Sequence, residues 1–166
     1  TSRYRSPVAL SETRYRDRGR QDTRLLVYDG PALAAALEIA GNPIATLVLG
    51  STERDGVVIV YLEDVGPDGT VAYLTEGVLR LAHRKPADGP NLHGYLAADM
   101  MPMIPGRRET SRIALSPIAA LIRRGHRIRV SIAGADADNL EAMPATASPV
   151  LTIATGIYHI ELPQRA

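Results

Sequence analysis

Residues 57–84, VVIVYLEDVGPDGTVAYLTEGVLRLAHR, set two runs rich in Val, Ile, Leu and Tyr on either side of Gly66-Pro67-Asp68-Gly69. Pro presets one turn dihedral and Gly reaches conformations that other residues avoid, so these four residues can reverse the chain. The first arm, residues 57–65, is nearly continuous in apolar side chains, the pattern of a strand covered on both faces. The second arm interrupts its apolar run at Glu76-Gly77, and a glycine inside a strand pattern suggests a bulge or a bend. The stretch predicts a long hairpin at the centre of a sheet.

Working outward, residues 1–22 are polar and charged with little periodicity, and are expected to be a lead-in segment, with one domain over residues 23–166. Within that lead-in, Arg14-Tyr15-Arg16-Asp17-Arg18-Gly19-Arg20 gathers basic residues with acidic ones close by, as a solvated segment would. Residues 23–29 read as a first strand, stopped by Gly30-Pro31. Residues 32–40 are ambiguous, because their alanines favour helix while Leu37 and Ile39 alternate as in a strand. Residues 43–50 are a strand by composition. Residues 85–108 are punctuated by Pro and Gly and lack a sustained period, which marks a functional, interface-forming or partly disordered connection. Residues 110–115 predict a short strand with Ile113 and Leu115 on one face, and residues 117–124 a helical turn closed by Gly125.

The clearest alternation is residues 126–132, HRIRVSI, with Ile128, Val130 and Ile132 on one face and Arg127, Arg129 and Ser131 on the other. It predicts a half-buried antiparallel strand. Residues 134–149 form an acidic, Ala-rich loop and residues 150–162 supply the last strands. About eight strands and no long helix make an all-β sandwich the natural packing solution.

Composition narrows the function. The chain has 166 residues, 19 basic and 18 acidic, for a net charge of +1, which supplies no electrostatic drive toward nucleic acid or an acidic membrane. Cysteine is absent, so no disulfide, thiolate nucleophile or zinc–thiolate site can form. That fits a reducing compartment, and a cytoplasmic location is expected. No apolar run reaches the ~20 residues of a membrane span. The chain opens on Thr rather than Met, which suggests a fragment of a longer protein. Phe and Trp are also absent, so the core must be built from Val, Ile, Leu, Ala and Met, with seven Tyr as the aromatics.

Several ordered segments carry a resemblance. The run Leu62-Glu63-Asp64-Val65-Gly66-Pro67-Asp68-Gly69, then Leu74-Thr75-Glu76-Gly77-Val78-Leu79-Arg80, resembles the C-terminal domain of the X-Pro dipeptidyl-peptidase and cocaine-esterase (acyl esterase) family of serine hydrolases. Arg112-Ile113-Ala114-Leu115-Ser116-Pro117, followed by residues 124–132, is similar to the family's strand, proline and Gly-His-Arg strand. Ile157-Tyr158-His159 with Ile160-Glu161-Leu162-Pro163 resembles its closing segment. The resemblance covers roughly residues 22–163. It implies a jelly-roll β-sandwich, similar to galactose-binding domains, that carries no catalytic residue and is attached to an α/β-hydrolase catalytic domain. It also makes residues 32–40 a strand. The chain departs from the family at residues 133–139, where a serine pair and a Phe-Pro segment are usual, and by a shortening between His159 and Ile160; both differences are expected in loops.

The residues themselves agree on chemistry. Serine hydrolysis needs a nucleophile on a strained turn, a histidine base and an orienting carboxylate. The G-x-S-x-G elbow is absent; Gly50-Ser51-Thr52 is the nearest approach and lacks its second glycine. His126 is expected at a loop edge bonding a backbone carbonyl, and His159 likewise; the spacing of His83 and His93 matches no compact metal motif. Asp136, Asp138, Asn139 and Glu141 cluster oxygen ligands of the kind Ca²⁺ takes, without the glycine or spacing of an EF-hand, and a solvated acidic loop is the reading preferred. No cofactor is expected.

Met100, Met101, Met103 and Ile104 form an apolar loop that either folds over one end of the core or faces a partner. If exposed, it is the candidate contact with the upstream catalytic domain or with a second subunit. The expected function is therefore a non-catalytic domain giving a serine hydrolase stability, subunit contacts or part of its substrate cleft. The alternative is a free-standing carbohydrate- or peptide-binding module, whose aromatic platform only Tyr could supply.

Overall fold

In the computed structural model, residues 18–88, 92–136, 140, 144 and 147–164 are described. A five-residue helix α1 (Arg18–Asp22) precedes nine strands: β1 (Leu26–Asp29), β2 (Leu37–Gly41), β3 (Ile44–Ser51), β4 (Val57–Val65), β5 (Val71–Arg80), β6 (Arg108–Ala114), β7 (Ile118–Ile122), β8 (Arg127–Ala133) and β9 (Leu151–Glu161). All pairings are antiparallel, in three sheets ordered β1-β8-β4-β5, β6-β3-β9 and β2-β7.

The hairpin forms as expected but ends the four-stranded sheet instead of centring it, with β4 interior and β5 the edge strand. β4 is flanked by β8 and β5, and every one of its residues except Asp64 is buried. Val58, Val60 and Leu62 point inward, where they meet Ala45, Leu47 and Leu49 of β3 and Ile113 of β6. This is the sandwich core, and Leu79, Leu81, Met103, Leu115 and Ile132 complete it. Val57, Ile59 and Tyr61 point the other way into a second cluster with Leu25, Tyr73, Val78, Ala133 and Leu140. Burial on both faces explains the unbroken apolar run. At the turn, Gly69 adopts φ +84° and the Asp68 carboxylate accepts from the Thr70 amide and hydroxyl.

Gly77 is not a bulge. It pairs in register with Val60, and the irregularity lies at Leu74, between the Leu62–Thr75 and Glu63–Tyr73 pairs. Gly77 is required by a close approach instead: a Cβ there would lie 2.6 Å from the Ala114 carbonyl oxygen of β6. At this corner the Ser116 amide donates to the Glu76 carbonyl (2.9 Å) and the Thr75 hydroxyl to the Ser116 carbonyl (2.8 Å).

Other departures have physical causes. Residues 118–122 form β7 rather than a helical turn, because pairing with β2, from Ile118–Gly41 to Ile122–Leu37, outweighs the local preference of an Ala/Leu-rich segment. Residues 37–41 are a strand for the same reason. A bridge between Ile39 and Gln164 ties β2 to the chain just after β9. His159 and Ile160 lie inside β9, so the shortening there falls in a strand and not in a loop. β8 shows the predicted faces, but its outer face is also covered: Ser131 is fully buried.

Candidate functional site

Hydrolytic machinery can be tested directly. Ser51 is buried; its hydroxyl donates to the Asp55 carbonyl (3.1 Å) and accepts from the Glu53 amide (3.0 Å), fixing the turn that leads into β4. His126 bonds a carboxylate rather than a carbonyl, its Nδ1 lying 2.8 Å from Asp64 Oδ1. His159 Nε2 lies 3.5 Å from Glu161 and is exposed. Among the described residues no serine hydroxyl hydrogen-bonds a histidine, so no Ser–His pair is assembled. Of the four calcium candidates, Asp138, Asn139 and Glu141 lie outside the described residues; Asp136 accepts a hydrogen bond from the Tyr61 hydroxyl (2.8 Å).

A buried charge network, which the sequence reading missed, fastens α1 to the outer face of the four-stranded sheet. Arg18, expected in a solvated segment, is buried: its Nε donates to Glu63 Oε1 (2.5 Å), Nη2 to Asp22 (3.2 Å), and its guanidinium stacks 4.0 Å from the Tyr61 ring centre. Ser131 donates to the other Glu63 oxygen (2.9 Å), and Arg129 bonds Asp22 and Asp29. Burial pushes the Glu63 carboxyl above the usual carboxylate range, with Arg18 pulling it back. Burial and the bond to Asp136 raise the Tyr61 phenol, and hydrogen bonds from Arg129 hold Asp29 low. The available signal was Glu63 itself. A carboxylate at a buried strand position requires a cationic partner.

The connection between β5 and β6 carries the features most suited to an interaction. It holds two short 3-10 turns, Leu81–His83 and Ala97–Asp99, and a bridge between Pro86 and His93. The apolar stretch divides. Met103 is buried in the core, while Met100, Met101 and Ile104 are exposed and share that exposure with Tyr95 and Leu96 nearby in the chain.

Two buried side chains, Arg84 and His93, hold this connection. The Arg84 guanidinium donates to the carbonyls of Leu81, Met101 and Pro102, and burial lowers its basicity. His93 places Nδ1 3.1 Å from the Lys85 carbonyl oxygen and Nε2 2.6 Å from that of Arg112 in β6. Leu92, just before it, is the one described non-glycine residue with positive φ (60°), a conformation that costs on the order of 1–3 kcal/mol and persists only where neighbours enforce it. A cavity of about 480 Å³ beside His93 is lined by Arg84, Asp88, Leu92, Thr110 and Arg112, among others. The geometry offers an apolar surface on a loop fastened by Arg84 and His93.

The sequence profile described as X-Pro dipeptidyl-peptidase C-terminal non-catalytic domain matches residues 1–156. Proteins of Mycobacterium bovis and Mycobacterium tuberculosis, both named putative serine esterase, are each 40% identical over 172 residues, covering 98% of this chain and 27% of the relative. The chain thus spans little more than a quarter of those relatives. An aminopeptidase from a marine sediment Thaumarchaeota archaeon is 25% identical and superposes with a TM-score of 0.59 over 70% of this chain and 19% of its own. An alpha-amino acid ester hydrolase gives 0.68 at 19% identity, over 89% of this chain and 26% of that one. A CocE/NonD family hydrolase from Staphylococcus aureus gives 0.66 at 14% identity, over 85% and 30%. At those last two identities the likeness is one of fold alone.

Proposed function

The chain belongs to the X-Pro dipeptidyl-peptidase C-terminal non-catalytic domain family, and from that premise we propose that it serves as the docking and stabilising domain of a serine hydrolase whose catalytic α/β-hydrolase domain lies upstream in the same polypeptide. In this reading residues 23–166 are the sandwich domain and residues 1–22 its lead-in, of which α1 packs on the sheet. The nested pairing of β1 with β8, β2 with β7, β3 with β6 and β4 with β5 supports a jelly-roll connectivity. The parent cleaves an ester or amide bond through an acyl-enzyme, and this domain contributes contacts instead of reacting groups.

The observation that carries this reading is the exposure of Tyr95, Leu96, Met100, Met101 and Ile104 on one connection. Apolar residues gathered on one exposed segment mark an interaction surface, and Met side chains adapt to partners. Among the described residues no helix is long and apolar enough to cross a membrane, so a bilayer-spanning helix does not account for them.

Amide hydrogen exchange tests it. Residues 95–104 are expected to exchange more slowly in the full polypeptide than in the 166-residue chain. Equal exchange refutes docking through this surface. If the chain alone self-associates and protects the same residues, the surface belongs to a second copy. In parallel, the isolated chain should neither turn over an activated acyl ester nor be labelled by a serine-directed phosphonate; stoichiometric labelling would overturn its non-catalytic role.

A further inference from the structure

We propose that His93 is a protonation-dependent pin that holds residues 92–104 against β6, so that acidity sets how firmly the exposed apolar surface is presented. The pin stands on geometry alone; its effect on docking rests on the function proposed above.

A neutral imidazole carries one N–H donor and one lone-pair acceptor. Both ring nitrogens of His93 face carbonyl oxygens, which accept and cannot donate. Either neutral tautomer therefore makes one of these bonds and turns a lone pair toward the other oxygen. Only the imidazolium donates to both. The ring is buried against these two partners with the cavity along its side, so a lost bond loosens its hold on the sheet.

The two carbonyls belong to different elements. Lys85 lies just after the first 3-10 turn of the connection and Arg112 lies in β6, an edge strand of its sheet. Edge strands present unpaired carbonyls on their outer side, and His93 occupies one of these. On the acid side of its titration His93 clamps the connection to the sheet. On the alkaline side one bond is lost, beside a residue already held at positive φ. A strained backbone next to a conditional fastening has two arrangements available to it.

The charged groups around the ring are few. Arg84, Asp88 and Arg112 line the adjoining cavity. The Arg112 guanidinium is paired with Glu161 and Lys85 with Asp99, while Glu109 acts on Arg84. The Tyr95 ring stands 6.5 Å from His93, and His83 stands 5.8 Å from Tyr95 on its far contact. Among the described residues no carboxylate bonds the His93 ring, whose hydrogen-bond partners there are the two carbonyls.

The test is amide hydrogen exchange over residues 92–104 in the 166-residue chain between about pH 5.5 and about pH 8, corrected for intrinsic rates, with ¹⁵N imidazole spectra in the same window. Protection should fall about ten-fold as His93 passes from doubly to singly protonated. H93Q should abolish the pH dependence, whereas H83Q should keep it, since His83 touches neither carbonyl. Flat protection in the unmodified chain overturns the pin, as does a pH dependence that survives in H93Q. Should H93Q fail to fold, the spectra decide, because a singly protonated ring with full protection across the window also overturns it. The full polypeptide separates the two readings. A pH response in the isolated chain, with exchange over residues 95–104 identical in the full polypeptide and the chain, sustains the pin and removes the docking surface.

Discussion

Substituting Gly77 by alanine adds one methyl group at the corner where the two large sheets meet. That carbon would sit 2.6 Å from the Ala114 carbonyl oxygen, 2.9 Å from Ile113 Cγ2 and 3.1 Å from the Ala114 carbonyl carbon. Two of these are backbone atoms, so no rotamer change relieves the clash, and β5 and β6 must separate by roughly half an ångström or more. Overpacking of this kind costs about 1–3 kcal/mol. The separation also stretches the flanking bonds from Ser116 to Glu76 and from Thr75 to Ser116, and losing one adds about 0.5–1.5 kcal/mol. The sum is about 1.5–4.5 kcal/mol, which at roughly 3 °C per kcal/mol lowers the melting temperature by about 5–14 °C. Urea titration and thermal melting followed by circular dichroism measure both quantities. Gly134→Ala is the control: its nearest foreign atom would be Leu151 Cδ1 at 3.5 Å, and its change should stay within about 0.5 kcal/mol. If G77A melts with G134A, the close approach is not what the glycine serves.

Two further perturbations probe the outer face of the four-stranded sheet. Arg18→Met leaves Glu63 buried without its cation and should cost about 3–5 kcal/mol in urea unfolding, most of it recovered in R18M/E63L; a single-variant cost under about 1 kcal/mol would show that α1 contributes nothing. Asp29 is held below the usual carboxylate range by Arg129, so it stabilises the fold above an unfolded value of about 3.9 and loses that contribution as pH falls through its lower folded value. Thermal melts between about pH 5 and about pH 2 should therefore decline more steeply for the unmodified chain than for Asp29→Asn, and parallel slopes would refute the coupling.

The readable parts of the chain were those where local pattern and tertiary environment agree. β4 announces its double burial through an unbroken apolar run, and β8 announces its faces by alternation. The Ala-rich partners β2 and β7 lean toward helix locally; neither is a strand without the other, and that pairing spans some eighty residues of chain. No window of sequence contains it. Gly77 shows a second limit, since the pattern flagged an exceptional residue while its cause sat on another strand. The proposed docking surface was half legible: Met100, Met101 and Ile104 face solvent, but Met103 fills the core, and nothing in four neighbouring apolar residues distinguishes the one that turns inward. The roles of Arg18 and His93 were hidden because each depends on atoms supplied by distant elements, Glu63 in one case and the Arg112 carbonyl in the other.

The order of the strands also constrains when the sandwich can come into being. Only β4 and β5 are both consecutive and paired; β1 waits for β8, where Leu26 meets Ile132, and β3 waits for β9, where Ser51 meets Leu151. During synthesis, then, the hairpin is the one piece that can close early, and neither large sheet is complete until more than a hundred further residues have followed its first strand. Such long loop closures fold slowly, and meanwhile the apolar arms of β4 stand open to other chains. If the upstream catalytic domain proposed above folds first, it shields them, and severing the two lowers the yield of this domain before it changes its stability.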